Sequence, residues 1–243
     1  MSGISPEQEQ ESFKRFFRNP LDCKDDLVAI GGDFSPERLF YAYANGIFPW
    51  TESPIRWYSP DPRAIFNLDE IHISRTIKRK IRKKVFRITT NVAFREVMIG
   101  CSHRINETSW ITEGFITGYT ELHKRGYAHS FEAWDEKDRL VGGVYGVAIG
   151  KFFAGESMFA IASDAGKIAL MYLFAALERD GFTLFDTQAL NEVTWNLGAY
   201  EVHKSEYLFK LKEAVKIPYK WTPSSIYETE KFLLYKMNSN IDK

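Results

Sequence analysis

Cysteine is scarce in this chain of 243 residues, which has only Cys23 and Cys101, and neither stands in a Cys-x-x-Cys pair. This usage excludes a disulfide framework and a cysteine-based zinc site, so we expect both thiols to be reduced and to serve in packing. The five histidines are dispersed, and no His-Glu-x-x-His motif occurs. We therefore expect no metal ion.

Long hydrophobic runs are also missing, since no apolar stretch approaches the roughly 18 to 20 residues that a membrane-spanning helix needs. The chain begins MSGISPEQEQESFKRFF, which is polar and acidic, whereas a signal peptide is basic and then apolar. With 44% hydrophobic and 15% aromatic residues, the chain can bury a substantial core. We expect a globular protein of the cytoplasm with no membrane partner.

Net charge is absent overall, because 32 basic residues balance 32 acidic ones. Residues 71–95 nevertheless contain no acid, and SRTIKRKIRKKVFR at 74–87 holds eight Lys or Arg. Ser74 as N-cap predicts a helix that packs through Ile77, Ile81 and Val85. Its other sides form what we call the cationic ridge: Arg75, Lys78, Arg79, Arg82, Lys83 and Lys84. Such a patch attracts a polyanion, although a solvated helix face, DNA, a membrane or an acidic protein remain alternatives to RNA.

The organisation along the chain predicts a small N-terminal domain over 1–62 and a larger domain over 63–243. Residues 1 to about 20 are interpreted as a polar lead-in, and the prolines of RWYSPDPRAIF predict an extended, rigid link. Helices are predicted near 93–101 and 113–125. Three strands then follow over 128–160 as an antiparallel meander, before a helix from Ser163, a strand at 183–188, a short helix and a polar tail.

Two stretches carry candidate chemistry. Alternation along LFDTQALN places Leu184, Asp186 and Gln188 on one face of an otherwise apolar strand. Glu156 stands in a similar position in FFAGESMF. Buried polar groups need partners, so a structural hydrogen-bond network is one interpretation and a functional site at a sheet crevice is the other.

The residue types narrow the chemistry. No Ser-His-Asp or Cys-His arrangement and no Gly-x-Gly-x-x-Gly loop appears. A glutamine is too weak a base, but its oxygen can accept a hydrogen bond from an attacking amine, and a nearby Asp can hold the amide in place. Such a site suits aminolysis of an activated acyl group. Trp50 and Trp110, in predicted loops, could stack on unpaired bases, unless they belong to the core as most tryptophans do.

Seven segments together resemble the leucyl/phenylalanyl-tRNA–protein transferase family over about residues 27–215. They are LVAIGGDFSPERLFYAYANGIFPW, RWYSPDPRAIF, IHISRTIKR, TSWIT, GYAHSFEAW, LVGGVYGVAIGKFFAGESMF and LFDTQALN. The resemblance implies an α+β fold, in which a small N-terminal domain precedes a GNAT-like domain with a mixed, largely antiparallel sheet flanked by helices.

The implied reaction moves Leu or Phe, with Met as a further candidate, from aminoacyl-tRNA to the α-amine of proteins that begin with Arg or Lys. This reaction marks those proteins for degradation by the N-end rule, without metal or nucleotide cofactor. The cationic ridge would then hold the tRNA acceptor stem.

The resemblance also implies roles for individual residues. Gln188 would receive the amine proton, Asp186 would support it, and Glu156 would line the reaction site. Trp50 and Trp110 would hold the terminal adenosine and aminoacyl end. An apolar pocket would bind the donor side chain through Phe153, Met158, Leu170, Leu173, Leu177 and Phe185.

Two other functions are compatible with parts of the pattern. An acyl-CoA-dependent N-acetyltransferase would share the fold, but it generally has an Arg/Gln-x-x-Gly-x-Gly/Ala turn where this chain has ASDAGKIAL. A non-catalytic RNA-binding module would explain the ridge and the tryptophans. It would leave Asp186, Gln188 and the apolar pocket without a purpose.

Overall fold

The computed structural model describes residues 6–103 and 110–239, which form two sheets and the helices packed on them. The strands are β1 (Leu27–Ile30), β2 (Phe48–Glu52), β3 (Ile55–Tyr58), β4 (Arg63–Phe66), β5 (Arg87–Thr90), β6 (Ala128–Trp134), β7 (Leu140–Ile149), β8 (Phe152–Ala160), β9 (Leu184–Gln188) and β10 (Tyr200–Val202). The helices are α1 (Pro6–Phe16), α2 (Pro36–Ala44), α3 (Arg75–Arg82), α4 (Phe94–Ser102), α5 (Glu113–Lys124), α6 (Ala165–Arg179), α7 (Glu192–Asn196), α8 (Lys204–Val215) and α9 (Ile226–Ser239).

The smaller sheet is antiparallel, with the strand order β1-β3-β2. The larger sheet has seven strands in the order β10-β4-β9-β8-β7-β6-β5. In the part of the chain that is described, its neighbouring strands are antiparallel except for β8 and β9, which run parallel. The prediction of a mixed, largely antiparallel sheet with flanking helices is confirmed, as is the meander β6-β7-β8.

Helix α6 makes the connection between the two parallel strands, which a tight turn could not join. Twelve of its 15 residues are buried, so its stability comes from packing on the sheet. It begins after Asp164, two residues later than the predicted start at Ser163. Gly181 follows it with φ of 72°, a left-handed conformation that costs glycine little.

Helices cover both faces of the larger sheet, and strand residues alternate between two hydrophobic clusters. Leu184 belongs to the cluster that contains buried residues of α2, α4, α5 and α8, whereas Phe185 belongs to the cluster that contains buried residues of α3, α6 and α9. This alternation follows from the two-residue period of a strand. In the described ranges, none of the helices is long and apolar enough to cross a membrane.

Both ends of the chain depart from prediction. The polar lead-in was wrong for residues 6–16, which form α1; Phe13 and Phe17 are 7% and 6% exposed in the core. The sequence of α1 gives a weak signal, because the apolar residues of this short helix form one narrow stripe. Residues 1–5 of the lead-in lie outside the described residues. The predicted polar tail is also helical, since α9 buries Leu233 and Met237.

The predicted domain boundary near residue 62 stays a prediction. The smaller sheet ends at Tyr58 and the larger sheet begins at Arg63, which agrees with its position. Phe13 and Leu39, however, belong to the same hydrophobic cluster as Phe115. The N-terminal segment therefore shares a core with the larger sheet.

Helix α3 is shorter than its sequence pattern suggests. Ser74 caps it by accepting a hydrogen bond from the Ile77 backbone at 3.3 Å, and Ile77 and Ile81 are buried as predicted. The helix ends at Arg82, and Lys84 has φ of 50°. Val85 therefore leaves the packed side and is 46% exposed, so its predicted burial was wrong.

Candidate active site

Strands β8 and β9 separate part-way along the sheet. Their pairing ends at Ala154 and Asp186, after which β8 stays with β7, and β9 stays with β4 as far as Gln188. The gap opens into a cavity of about 620 Å³, a volume typical of sites for small molecules or their reactive ends. We call it the splay cavity.

Glu156 reaches the splay cavity through an irregularity in β8. Tyr145 of β7 pairs with Ser157, and the next residue, Gly146, pairs with Gly155. Glu156 is therefore the extra residue of a β-bulge. A bulge interrupts side-chain alternation and changes the direction of the residue it contains, and here Glu156 lines the cavity.

Gln188 lies on the opposite side of the gap, at the end of β9. Its φ of 61° is unusual for a residue with a side chain. Its backbone N–H donates to Asp186 Oδ1 at 2.8 Å, and its Nε2 donates to Glu156 Oε1 at 2.9 Å across the gap. Because the amide nitrogen faces Glu156, the amide oxygen is left to accept a hydrogen bond from another donor.

Asp186 lies behind the cavity wall and is 0% exposed. Its carboxylate accepts hydrogen bonds from Arg63 Nε at 2.9 Å, Arg63 Nη2 at 2.7 Å and the Tyr207 hydroxyl at 2.8 Å. The Arg63 guanidinium also lies over the Phe48 and Tyr207 rings. We call Arg63, Asp186 and Tyr207 the buried ion-pair cluster.

This placement corrects the expectation that Asp186 and Gln188 point together into one crevice. Asp186 holds the backbone N–H of Gln188, whereas Glu156 holds the side-chain amide. Strict alternation does not apply because the left-handed φ of Gln188 turns its side chain away from the face that Asp186 occupies. Asp186 therefore acts on Gln188 through the backbone.

The environment of Glu156 favours its neutral form. Burial raises the pKa of this carboxyl to about 8; a hydrogen bond with Tyr43 opposes the rise, and the negative charge of Asp186 adds to it. Behind it, the Tyr43 hydroxyl also hydrogen-bonds the Tyr119 hydroxyl. Burial raises the pKa of both phenols well above their ordinary value. At neutral pH most Glu156 side chains are therefore protonated.

The rest of the wall is largely apolar. Met158, Leu170 and Phe185, three of the predicted pocket residues, line the splay cavity, together with Phe66 and Val144.

The other three predicted pocket residues, Phe153, Leu173 and Leu177, pack in the core at 0%, 1% and 0% exposure and do not line the cavity. Phe153 lies where β8 and β9 are still paired. Leu173 and Leu177 lie about 4.5 and 10.5 Å farther along the α6 axis than Leu170, toward that paired region.

Two tryptophans border the cavity. Trp50 of β2 is 44% exposed and meets Tyr58 edge-to-face at 5.8 Å between ring centroids. Trp110 is half-buried and packs on Phe115 at 5.1 Å. Both line the splay cavity, so the fold brings together two rings that are distant in sequence.

A backbone hydrogen bond links the segment just before the cationic ridge to the cavity wall. The His72 backbone N–H donates to the Leu197 carbonyl at 3.0 Å, and Leu197 lines the cavity. Arg75, the first residue of the ridge, follows shortly after His72.

Ion pairing divides the ridge. Lys84 pairs with Glu230 at 2.7 Å, and Arg82 donates to Asn238. Among the described residues, no acid forms an ion pair with the other five ridge residues, Arg75, Lys78, Arg79, Arg82 and Lys83.

Two contributions were not predicted from sequence. Arg63 stands in a segment interpreted only as an extended link, and its partner Asp186 is 123 residues away, so no local pattern connects them. The rim also includes Asn191, Glu192 and Thr194. A sequence signal for these rim residues was the capping box that Asn191 and Thr194 form, because a capping box marks where a helix such as α7 starts.

The polar groups of the cavity are hydroxyls, amides and carboxyls. Among the described residues that line it there is no histidine and no cysteine, and the hydroxyl groups come from Ser157, Thr187 and Thr194. Within residues 6–103 and 110–239, no group of three or more His, Cys, Asp or Glu side chains could hold a metal ion. The apolar wall and the hydrogen-bonded pair Glu156 and Gln188 suit a site that binds and orients a group with an apolar portion.

Comparison with known proteins identifies the family. The family model described as leucyl/phenylalanyl-tRNA protein transferase matches residues 65–212, and the model of its N-terminal domain matches residues 32–61. This chain belongs to the leucyl/phenylalanyl-tRNA protein transferase family.

Two curated relatives bear the same name. One, from Maridesulfovibrio salexigens, is 44% identical over 208 residues, which cover 83% of this chain and 87% of the relative. Another, from Enterobacter sp. strain 638, is 47% identical over 206 residues, which cover 83% and 88%.

Proposed function

We propose that this protein transfers a leucyl or phenylalanyl group from aminoacyl-tRNA to the N-terminal α-amine of proteins that begin with Arg or Lys. Family membership supports aminoacyl transfer from tRNA to a protein, because the relatives are named for this reaction. The observation that carries the mechanism is the Gln188–Glu156 hydrogen bond across the splay cavity.

In the proposed reaction, the unprotonated acceptor amine attacks the ester carbonyl carbon of the aminoacyl-tRNA. The C–N bond forms, the bond between the carbonyl carbon and the ribose oxygen breaks, and the amine loses a proton while the ribose oxygen gains one. Gln188 Oε1 accepts a hydrogen bond from the attacking amine, which orients it and stabilises the positive charge that develops on nitrogen. No covalent enzyme intermediate and no further reactant is needed.

Glu156 and Asp186 have different parts in this proposal. Glu156 keeps the Gln188 amide nitrogen engaged, so that the amide oxygen is presented to the amine. Asp186 is a positioning residue, because it holds the backbone N–H of Gln188 and is itself held by Arg63 and Tyr207. Positioning of this kind supplies rate by reducing the entropy lost on reaching the transition state.

The walls of the cavity suit the aminoacyl end of a tRNA. Met158, Leu170 and Phe185 offer an apolar surface to a leucyl or phenylalanyl side chain. Trp50 and Trp110 would hold the terminal adenosine, and stacking on an aromatic ring contributes about 1 to 3 kcal/mol per base. The exposure of Trp50 supports this assignment.

The cationic ridge would bind the phosphates of the acceptor stem. Its first residue, Arg75, follows three positions after His72, whose backbone N–H donates to the cavity-lining residue Leu197. A stem on the ridge could therefore direct its 3′ end toward the cavity. Transfer of Leu or Phe to proteins that begin with Arg or Lys would mark those proteins for degradation by the N-end rule.

The test is a transfer assay. We would incubate the protein with radiolabelled Leu-tRNA and a peptide that begins with Arg, and expect labelled peptide; the same peptide with an acetylated N-terminus should remain unlabelled. Binding of tRNA without transfer would instead indicate a non-catalytic RNA-binding module. Acetylation of the peptide from acetyl-CoA would indicate an N-acetyltransferase.

A further inference from the structure

The ionisable side chains among the described residues that line the splay cavity are both acids, Glu156 and Glu192, and no Lys or Arg is present among them. A carboxylate at the mouth of such a cavity attracts a cationic group, and low-dielectric walls strengthen this attraction. The two glutamates differ, however, in whether their carboxyl groups are free to bind a ligand.

Glu156 is already engaged. It accepts a hydrogen bond from Gln188, contacts Tyr43, and has a raised pKa of about 8. A carboxyl that is mostly neutral and hydrogen-bonded within the protein is a poor partner for a second cation. Its use by an incoming side chain would also release the Gln188 amide.

Glu192 has the opposite character. It is exposed at the cavity rim. Within residues 6–103 and 110–239, no Lys or Arg forms an ion pair with it. The reciprocal hydrogen bonds of Asn191 and Thr194 fix the start of α7 and with it the backbone position of Glu192.

The chain also limits how far Glu192 can lie from the reacting amine. Glu192 is four positions after Gln188 in the chain, so their Cα atoms are at most about 14 Å apart. In the proposed reaction, the amine that donates to Gln188 Oε1 is the α-amine of the acceptor's first residue. The long side chain of that residue would extend from this amine along the rim. An Arg or Lys side chain and the Glu192 side chain can span this distance toward each other.

We propose that Glu192 recognises the cationic side chain of the acceptor's first residue, by a charge-assisted hydrogen bond to its guanidinium or ammonium group. This inference rests on the proposed function, because it assigns the second substrate's side chain to the same cavity. Glu192 is a specificity residue in this proposal, and the chemistry remains with Gln188.

The test uses acceptor peptides that begin with Arg or with citrulline, which has nearly the same shape but no charge. We expect the wild-type protein to favour Arg by about tenfold or more in kcat/KM, the contribution of a hydrogen bond to a charged group. Glu192→Gln should raise the KM for the Arg peptide by a similar factor. It should leave kcat and the KM for Leu-tRNA unchanged, and reduce the preference for Arg over citrulline to less than about threefold.

Glu136→Gln is the matched control, since Glu136 is also exposed but lies in the turn between β6 and β7 and does not line the cavity; it should behave as wild type. A Glu192→Gln variant that keeps the full Arg preference overturns the inference while the proposed function stands. Absence of transfer by the wild-type protein to the Arg peptide overturns the proposed function itself. Glu192→Arg adds a second readout, because it should improve transfer to peptides that begin with Asp.

Discussion

Two neighbouring regions at the gap between β8 and β9 give an acidic side chain opposite environments. On β9, Asp186 is fully buried but is paired with Arg63 and Tyr207, and this pairing gives it a structural role. On β8, Glu156 lies in a bulge at the cavity with amide and hydroxyl partners, and its pKa is raised to about 8. A buried charge that is fully paired stabilises a geometry, whereas a carboxyl with a shifted pKa in a cavity is characteristic of a reaction site.

The largest effect should come from breaking the buried ion-pair cluster. Arg63→Met leaves the Asp186 charge without its partner, and we expect a loss of about 3 to 5 kcal/mol in the free energy of unfolding. Urea denaturation followed by circular dichroism measures it. Arg63→Met combined with Asp186→Leu should recover part of this loss. A single-variant loss below about 1 kcal/mol would show that the cluster does not stabilise this side of the strand.

On the cavity side, Gln188→Ala should affect catalysis and leave folding nearly intact. Removing a group that stabilises charge in the transition state typically lowers kcat by about 100- to 1000-fold. Single-turnover transfer from Leu-tRNA measures this change. The Kd for aminoacyl-tRNA, measured by filter binding, should stay within about twofold. A large loss of affinity with normal turnover of bound substrate would assign Gln188 to binding instead.

The raised pKa of Glu156 predicts a stability difference that depends on pH. Between its ordinary pKa of 4.5 and its raised pKa of about 8, the folded protein holds a proton that the unfolded chain has released. The contribution of Glu156 is therefore lost as the pH rises through this window.

Glu156→Gln, which has no proton to lose, should become more stable relative to wild type by about 1 to 3 kcal/mol between pH 5 and pH 8. Urea midpoints at several pH values would measure the difference. A difference that stays constant with pH would mean that the Glu156 pKa is not raised.

The smallest effect is expected at the cationic ridge, which lies outside both regions. Changing Arg79 and Lys83 together to Gln should weaken the binding of all aminoacyl-tRNAs about equally. It should also reduce the slope of log K against log salt by about 1.5 to 2. Lys84→Gln is the matched control, because Lys84 already pairs with Glu230 and should contribute less. A defect confined to Phe-tRNA would show that the ridge does not bind phosphates.

Much of the fold could be predicted because its signals are local. The periodicity of residues 128–160 and the apolar run after Ser163 predict the meander and α6, since each depends on neighbours along the chain. Helices α1 and α9 were not predicted, for different reasons. Helix α1 has only two large apolar residues, and its helical pattern becomes clear only when Phe13 packs on another element. Half of the residues of α9 are apolar or aromatic, but the sequence does not show which element Leu233 packs against.

The candidate site was only partly predictable. Gln188, Glu156, Trp50 and Trp110 could be named from sequence, and all line the splay cavity. Phe153, Leu173 and Leu177 could not be distinguished from true lining residues, because composition does not show where two strands part. Nor does any local pattern connect Arg63 to Asp186 over 123 residues.

The sequence by itself determined the family, the cationic character of α3 and the residue types available for the reaction, because these are properties of the chain's covalent order. The tertiary structure decided that Asp186 meets Arg63, that a bulge turns Glu156 into the cavity, and that a left-handed backbone directs the Gln188 side chain there. The bulge and the left-handed residue are small backbone departures whose direction depends on neighbouring strands. Two acids of similar chemistry thereby have different environments, and the environment sets what each acid does.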